Sequence, residues 1–140
     1  MSAGGDPALR AWAGLRELVL DHDRRREVTD ALDLSFARVK ALRRLAARPS
    51  TGRELAAALG ADPPYVTLIV DDLEQRGLVE RTPHPTDRRA KVVRATPAGR
   101  RAADQAERIL GEPPAALRAL PADDLAALDR IVTTLLRDAT

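Results

Sequence analysis

The chain has 140 residues, of which 44% are apolar, 31% are charged and only 2% are aromatic. This length and balance are typical of a single globular domain, which we predict over 1–140. The absence of cysteine excludes disulfides, thiol redox control and thiolate metal sites. No apolar run approaches the ~18 residues that a membrane-spanning helix needs, and the first residues lack a signal-peptide pattern. We therefore expect a cytoplasmic protein with no membrane partner.

The net charge is only +2, but Lys40 and Lys91 are the only lysines among the 23 basic residues. Arginine suits phosphates and base edges because its guanidinium is a rigid, permanently charged fork of donors. The coding bias of a GC-rich genome explains an arginine- and alanine-rich chain at least as well. Composition alone therefore does not assign a nucleic-acid partner.

The first half of the chain is predicted to form two helices. An amphipathic helix is predicted over about 7–29, because residues recur there at helical spacing: Trp12, Leu15, Val19 and His22. His22 lies between two aspartates, but no second histidine is near, so a solvated helix face is a better interpretation than a metal site. The next helix is predicted to start after the capping residue Ser35 and to end before Pro49.

Two short helices are predicted next. The first is capped by Ser50 or Thr51 and ends at Gly60, since glycine adopts a left-handed conformation at little cost. The second is capped by Asp62, with Pro63 in its first turn, where no amide partner is needed. Gly77 closes it.

Beyond this point the pattern changes to a β-hairpin. Residues 78–81 and 91–95 are predicted strands, separated by a proline-rich loop. Thr96 and Pro97 start a fifth helix, residues 111–114 break it, and a last helix starts after Pro121 with acids in its first turn. Its apolar strip consists of Leu125, Leu128, Val132 and Leu135.

The segment TGRELAAALGADPPYVTLIVDDLEQRGLVER, residues 51–81, has the spacing of a helix-turn-helix. Ala56 supplies a small contact inside the corner, Gly60 supplies the turn, and Val66 and Ile69 hold the second helix against the first. A plain helical hairpin has the same pattern. The hairpin that follows favours DNA binding, because residues 81–101 contain seven basic residues and one acid, Asp87.

At this point the chain resembles the MarR family of bacterial transcription regulators over about 30–100. The matching stretches are TGRELAAALG, YVTLIVDDLEQRGLVER, DRRAKVV and TPAGR. The resemblance implies a mainly α fold with a small β-hairpin, a winged helix-turn-helix part over 30–96, and dimerisation helices over 7–29 and 97–138. It also implies a homodimer that binds a pseudo-palindromic operator in double-stranded DNA, usually as a repressor that a small ligand releases.

The resemblance also assigns candidate DNA contacts. The wing-tip motif of the family, an aspartate and an arginine one residue apart, falls on Asp87 and Arg89. Together with recognition-helix positions and neighbouring bases, the candidate DNA-binding residues are Arg53, Pro64, Tyr65, Thr67, Leu68, Asp87, Arg88, Arg89 and Lys91.

The recognition helix departs from the family pattern. Leu68 stands where an arginine is frequent, and residues 62–80 contain five acids against one base, Arg76. This is a poor match to a polyanion, and a forked arginine contact to guanine is not available from this helix. We expect Tyr65, Thr67 and Leu68 to touch thymine methyls and phosphates. Asp71 or Asp72 could pair with a wing arginine, and the wing and the bases of the second and third helices would then supply most of the affinity.

Other functions are less well supported. No nucleophile–base pair, phosphate loop or metal-ligand spacing is present in the sequence, so we expect neither an enzyme nor a metal or cofactor. A winged helix that binds proteins, with little or no DNA binding, remains the alternative. An effector pocket could be lined by Trp12, Leu15, Phe36, Val39 and Arg43, although core packing is the better explanation for the apolar four.

Overall fold

The computed structural model describes residues 5–139. Over that range the fold is mainly helical, with a small antiparallel sheet, as predicted. The helices are α1 (Pro7–Asp21), α2 (Arg25–Leu32), α3 (Phe36–Ala47), α4 (Gly52–Leu59), α5 (Pro63–Gln75), α6 (Pro97–Leu110), α7 (Ala115–Arg118) and α8 (Ala122–Asp138); the strands are β1 (Ser50–Thr51), β2 (Val79–Pro83) and β3 (Lys91–Ala95).

The single helix predicted over 7–29 is wrong, because the chain breaks between α1 and α2. The carboxylate of Asp23 accepts a hydrogen bond from the backbone N–H of Arg25 at 2.8 Å. An aspartate that binds a nearby backbone amide in this way competes with the helical ladder. At the same corner Arg24 Nε donates to His22 Nε2 at 2.9 Å, so the histidine belongs to this turn.

Helix ends elsewhere follow the sequence signals. Ser35 and Thr96 cap α3 and α6 through their side chains. Thr51 caps α4, with Glu54 completing a capping box. Gly60 ends α4 with a φ of 61°, where a side chain would be strained.

The sheet has three strands instead of the predicted two, in the order β1-β3-β2. β1 pairs with β3 through Ser50 opposite Val93. β2 extends two residues beyond its prediction and pairs with β3 from Val79–Ala95 to Pro83–Lys91. The wing is therefore fastened on one side to the segment that leads into α4. The short helix α7, which follows the break at 111–114, was also not predicted.

The core lies between α2, α3, α4, α5, α6 and the sheet. Its largest fully buried side chains are Leu42, Leu45, Leu55, Ile69 and Leu73. Gly99 lets α6 approach the start of the wing, since a Cβ there would lie 1.9 Å from the carbonyl oxygen of Leu78. The Thr96 hydroxyl donates to the Gly77 carbonyl at 2.7 Å, so it fastens the same joint.

The two outer helices are not part of this core. Across Pro7–Asp21 and Ala122–Asp138 no residue is buried. Trp12 in α1 is 62% exposed and Leu135 in α8 is 54% exposed. Both helices therefore carry apolar faces that the single chain leaves uncovered.

Candidate nucleic-acid interface

Helix α5 follows α4 as the second helix of the helix-turn-helix. Its inner face, with Val66, Ile69 and Leu73, is buried in the core. Asp62 occupies the N-cap position, but its side chain makes no capping hydrogen bond. The opposite face is solvent-exposed and begins with Pro64. The fold thus presents one face of α5 outward along its whole length.

The N-terminal half of this outward face is apolar. Tyr65 is 42% exposed and Leu68, one turn later, is 64% exposed. The hydroxyl of Thr67 donates to the Pro63 carbonyl at 3.1 Å. The hydroxyl oxygen of Thr67 keeps its lone pairs for an outside donor. This half of the face offers van der Waals contact but no positive charge.

The acids in the C-terminal half of α5 are paired with arginines from outside the helix. Arg81 of β2 donates to Asp71 Oδ1 at 2.6 Å and to Glu74 Oε1 at 2.7 Å. The expected pairing of a recognition-helix acid with a wing arginine is thereby confirmed for Asp71. Arg81, which is mostly buried by these contacts, is consequently occupied inside the protein.

Asp72 is neutralised from the other side of the helix. Arg38 Nε of α3 donates to Asp72 Oδ2 at 2.7 Å, and Arg76 Nε donates to the same oxygen at 3.0 Å. Burial raises the pKa of Asp72, but the hydrogen bonds from the two arginines outweigh it and leave the pKa below its ordinary value. The bases of α3 were expected to contribute to DNA affinity, but Arg38 is occupied by Asp72 and is not available to DNA.

The wing tip carries the uncommitted positive charge. Arg88, Arg89 and Lys91 are exposed, and none of them forms an ion pair with a residue in the 5–139 range. Asp87 Oδ1 accepts from the backbone N–H of Arg89 at 3.0 Å. The aspartate thus shapes the tip that carries the arginines.

A cleft of about 450 Å³ separates the wing tip from the start of α4. Arg53 lines it on the helix side, while Arg89 and Lys91 line it on the wing side. Thr51 and Glu54 hold this helix end, and hydrogen bonds from the Thr51 backbone and then its side chain lower the pKa of Glu54. The N-terminus of α4 and the wing together form one basic rim.

The five predicted effector residues do not form a shared pocket in the single chain. Trp12 and Leu15 line an apolar surface on α1 together with Val19. Val39 has no exposed surface, and the Phe36 ring lies under the guanidinium of Arg25. The fifth residue, Arg43, forms an ion pair with Glu107.

Two structural roles were not foreseen in the sequence. Glu54 completes a capping box whose signature, a threonine and a glutamate three residues apart, was available. The Nδ1 atom of His84 accepts hydrogen bonds from the backbone N–H groups of Thr86 and Asp87, both at 3.1 Å. The signal for His84 was an acceptor two residues before an amide, the spacing at which Asn and Asp close turns.

A helix-turn-helix followed by a fastened, basic β-hairpin defines a winged helix-turn-helix protein. A model of the MarR family matches residues 34–91. The chain is 30% identical over 113 residues to the multiple antibiotic resistance protein MarR of Escherichia coli (strain K12), covering 79% of this chain and 78% of that protein.

Solved structures agree with the sequence match. The wild-type apo form of MarR from E. coli aligns with a TM-score of 0.66 at 30% identity, covering 87% of this chain and 93% of that one. A mutant of the same protein, complexed with operator DNA, aligns with a TM-score of 0.58 at 29% identity and covers 87% and 90%. The chain belongs to the MarR family.

No helix within 5–139 is long and apolar enough to cross a membrane. Nor does any group of three or more histidines, aspartates and glutamates in that range stand close enough together to hold a metal ion.

Proposed function

We propose that this protein is a homodimeric transcription regulator that binds a pseudo-palindromic operator, as a repressor released by a small molecule. The observation that carries the DNA-binding part is the division of charge. The acids of α5 are paired with arginines of the protein, whereas the wing-tip bases Arg88, Arg89 and Lys91 form no ion pair with a residue in 5–139. The operator complex of the E. coli relative supports the same function. The site of action is the cytoplasm, where bacterial DNA lies, and the role is regulatory rather than catalytic.

The wing and the start of α4 supply most of the affinity in this proposal. Arg53, Arg88, Arg89 and Lys91 contact phosphates or the minor groove, and Asp87 positions Arg89 rather than touching the polyanion. Helix α5 enters the major groove with Pro64, Tyr65, Thr67 and Leu68 foremost. Since apolar groups contact the 5-methyl of thymine, this helix favours thymine over guanine at the positions it touches.

An electrophoretic mobility shift with the upstream region of the gene for this protein, repeated over a salt series, tests the proposal. Arg89→Ala should weaken binding and reduce the slope of log K against log salt by about 1 per lost phosphate contact. Arg26→Ala, which removes an equal charge from the exposed face of α2, is the matched control and should leave the slope unchanged.

Absence of binding at low salt would contradict the proposal and favour a protein-interaction module. An equal loss in Arg26→Ala and Arg89→Ala would show that only total charge matters. In that case the wing would have no special part in DNA recognition.

The dimer is supported by the uncovered apolar faces of α1 and α8. Pairing these helices between two copies would bury side chains such as Trp12 and Leu135, and a two-fold axis would place the recognition helices about one DNA turn apart, roughly 34 Å. Light scattering should give a dimer at micromolar concentration, and Leu135→Glu should shift it toward monomer. A monomeric wild-type chain would contradict palindromic recognition.

Release by a ligand would act on the helices that form the dimer. The apolar surface formed by Trp12, Leu15 and Val19 lies on the helix we assign to dimerisation. A ligand bound there would change the distance between the two recognition helices, which must match the spacing of the DNA half-sites. Phe36 and Arg43 would join such a pocket only through the dimer, whereas Val39 is fully buried in the core and would not reach it. A thermal-shift screen of small acids and phenols, with Trp12→Ala as control, tests it. A hit unaffected by that change would place the ligand elsewhere.

A further inference from the structure

The loop at the wing tip is held closed by three kinds of hydrogen bond. The backbone N–H of His84 donates to the Ala90 carbonyl at 3.2 Å, and the Ala90 N–H donates to the Asp87 carbonyl at 3.2 Å. The side chain of Asp87 accepts from Arg89 N–H at 3.0 Å. Between these bonds, the amides of Thr86 and Asp87 have the ring of His84 as their acceptor.

The ring can act as this acceptor only in one state. A neutral imidazole has one N–H donor and one acceptor nitrogen, whereas the imidazolium has two donors and no acceptor. Because two backbone N–H groups approach Nδ1, that nitrogen carries the lone pair. The ring proton then lies on Nε2.

We propose that His84 is a positioning residue for DNA binding, which shapes the wing tip by accepting the Thr86 and Asp87 amides at Nδ1. The inference rests on the proposed function, since it explains how the wing presents its bases to DNA. His84 precedes Asp87 by three residues, so its bonds fix the backbone directly before Arg88 and Arg89, and the Arg89 amide in turn bonds the Asp87 side chain. A tip without this acceptor samples other loop shapes, and DNA binding must then order it again at a cost in affinity.

The residues on either side of His84 explain why the loop uses its ring as a hydrogen-bond acceptor. Pro83 and Pro85 on either side of His84 have no backbone N–H and a fixed φ, so they restrict the loop without closing it. Closure therefore depends on the two backbone bonds to and from Ala90 and on side-chain acceptors, and His84 and Asp87 are the two side chains that the structure shows accepting loop amides in 84–90.

Three variants separate the acceptor from the ring. The Oδ1 atom of asparagine stands the same number of bonds from the backbone as Nδ1, so His84→Asn should keep the turn. His84→Gln moves its amide oxygen one bond further away, and His84→Ala removes the acceptor. Fluorescence anisotropy with a labelled operator should give about fivefold weaker binding for the alanine and glutamine variants, and wild-type affinity for His84→Asn.

Two measurements on the free protein test the device without DNA. Long-range ¹H–¹⁵N spectra should show an unprotonated Nδ1 in His84, and hydrogen exchange at the Thr86 and Asp87 amides should accelerate in His84→Ala but not in His84→Asn. Equal melting temperatures show that the variants fold. An Nδ1 that carries the proton, or equal exchange in all variants, would overturn the inference.

The two proposals fail separately. Wild-type protein that does not bind DNA would refute the proposed function, while the spectra and exchange rates would still decide the turn. Wild-type affinity in His84→Ala, or an asparagine variant as weak as the alanine variant, would refute the positioning role and leave DNA binding established.

Discussion

Arg81 offers the sharpest test of how an acidic recognition helix can bind DNA. Its guanidinium joins β2 to α5 through Asp71 and Glu74, at 2.6 and 2.7 Å. In the wild type the three groups sum to a charge of −1, and Arg81→Ala changes this to −2. Because exposed pairs of this kind each contribute only about 0.5 kcal/mol to folding, the variant should fold with a small loss of stability.

The expected effect on DNA binding follows from Coulomb's law. One added negative charge on the order of 8 Å from a phosphate costs ~0.5 kcal/mol at the dielectric constant of water and ~2 kcal/mol at an effective value of 20. Operator affinity at low salt should therefore fall by about 2- to 30-fold. The loss should shrink near physiological salt, where the screening length is about 8 Å.

Anisotropy titrations at several salt concentrations measure this effect. The matched control is the triple variant Arg81→Ala, Asp71→Asn, Glu74→Gln, which removes the arginine together with the acids it neutralises. It should bind at least as tightly as wild type. A triple variant as weak as Arg81→Ala would refute the electrostatic reasoning and indicate that Arg81 acts through a direct DNA contact or by fastening α5 to β2.

Three further predictions concern the base contacts, the wing joint and acid stability. Replacing thymine by uracil at operator positions facing Leu68 should weaken wild-type binding by about 1 kcal/mol per lost methyl contact, and Leu68→Ala should abolish that sensitivity; equal uracil sensitivity in both proteins would exclude Leu68 as the contact. Gly99→Ala should lower the free energy of unfolding by about 3 kcal/mol because its Cβ would overlap the Leu78 carbonyl, whereas Gly14→Ala, in open space within α1, should be neutral or stabilising in urea titrations. The lowered pKa of Asp72 stabilises the fold above about pH 4, the range of an ordinary aspartate. This contribution is lost as the pH falls through the folded-state pKa. In acid titrations Asp72→Asn should reduce this loss of stability, and an acid profile unchanged from wild type would contradict the ion pairs.

Local signals carried most of the fold prediction. Ser35, Thr51 and Thr96 were readable as caps because a capping side chain bonds an amide two or three residues away. The break before Arg25 could not be predicted, because the apolar spacing continues across it. The break depends on one aspartate that binds a single backbone amide. The pairing of Ser50 with Val93 joins residues distant in the chain, and a two-residue strand has no periodicity of its own.

The sequence predicted which residues lie on the outer face of the candidate site, but not which partners they bind. Hydrophobic spacing placed Leu68 on the outer face of α5 because the inner face is fixed by Val66 and Ile69. Spacing assigns a residue to a face but does not choose its partner. The count of acids in α5 therefore suggested a mismatch with DNA that Arg38 and Arg81, from α3 and β2, largely remove.

The same contacts connect the charge of α5 with its position. Arg38 fastens the helix to α3 through Asp72, and Arg81 fastens it to the wing through Asp71. An acid on this helix thus makes no direct contact with DNA. It instead helps to fix the angle between α5 and β2. Since an apolar face such as that of Leu68 discriminates bases only when its position is held closely, we expect the ion pairs that fix α5 and its apolar outer face to act together in recognition. On this argument a basic residue at 71 or 74 would raise general DNA affinity while lowering preference for the operator.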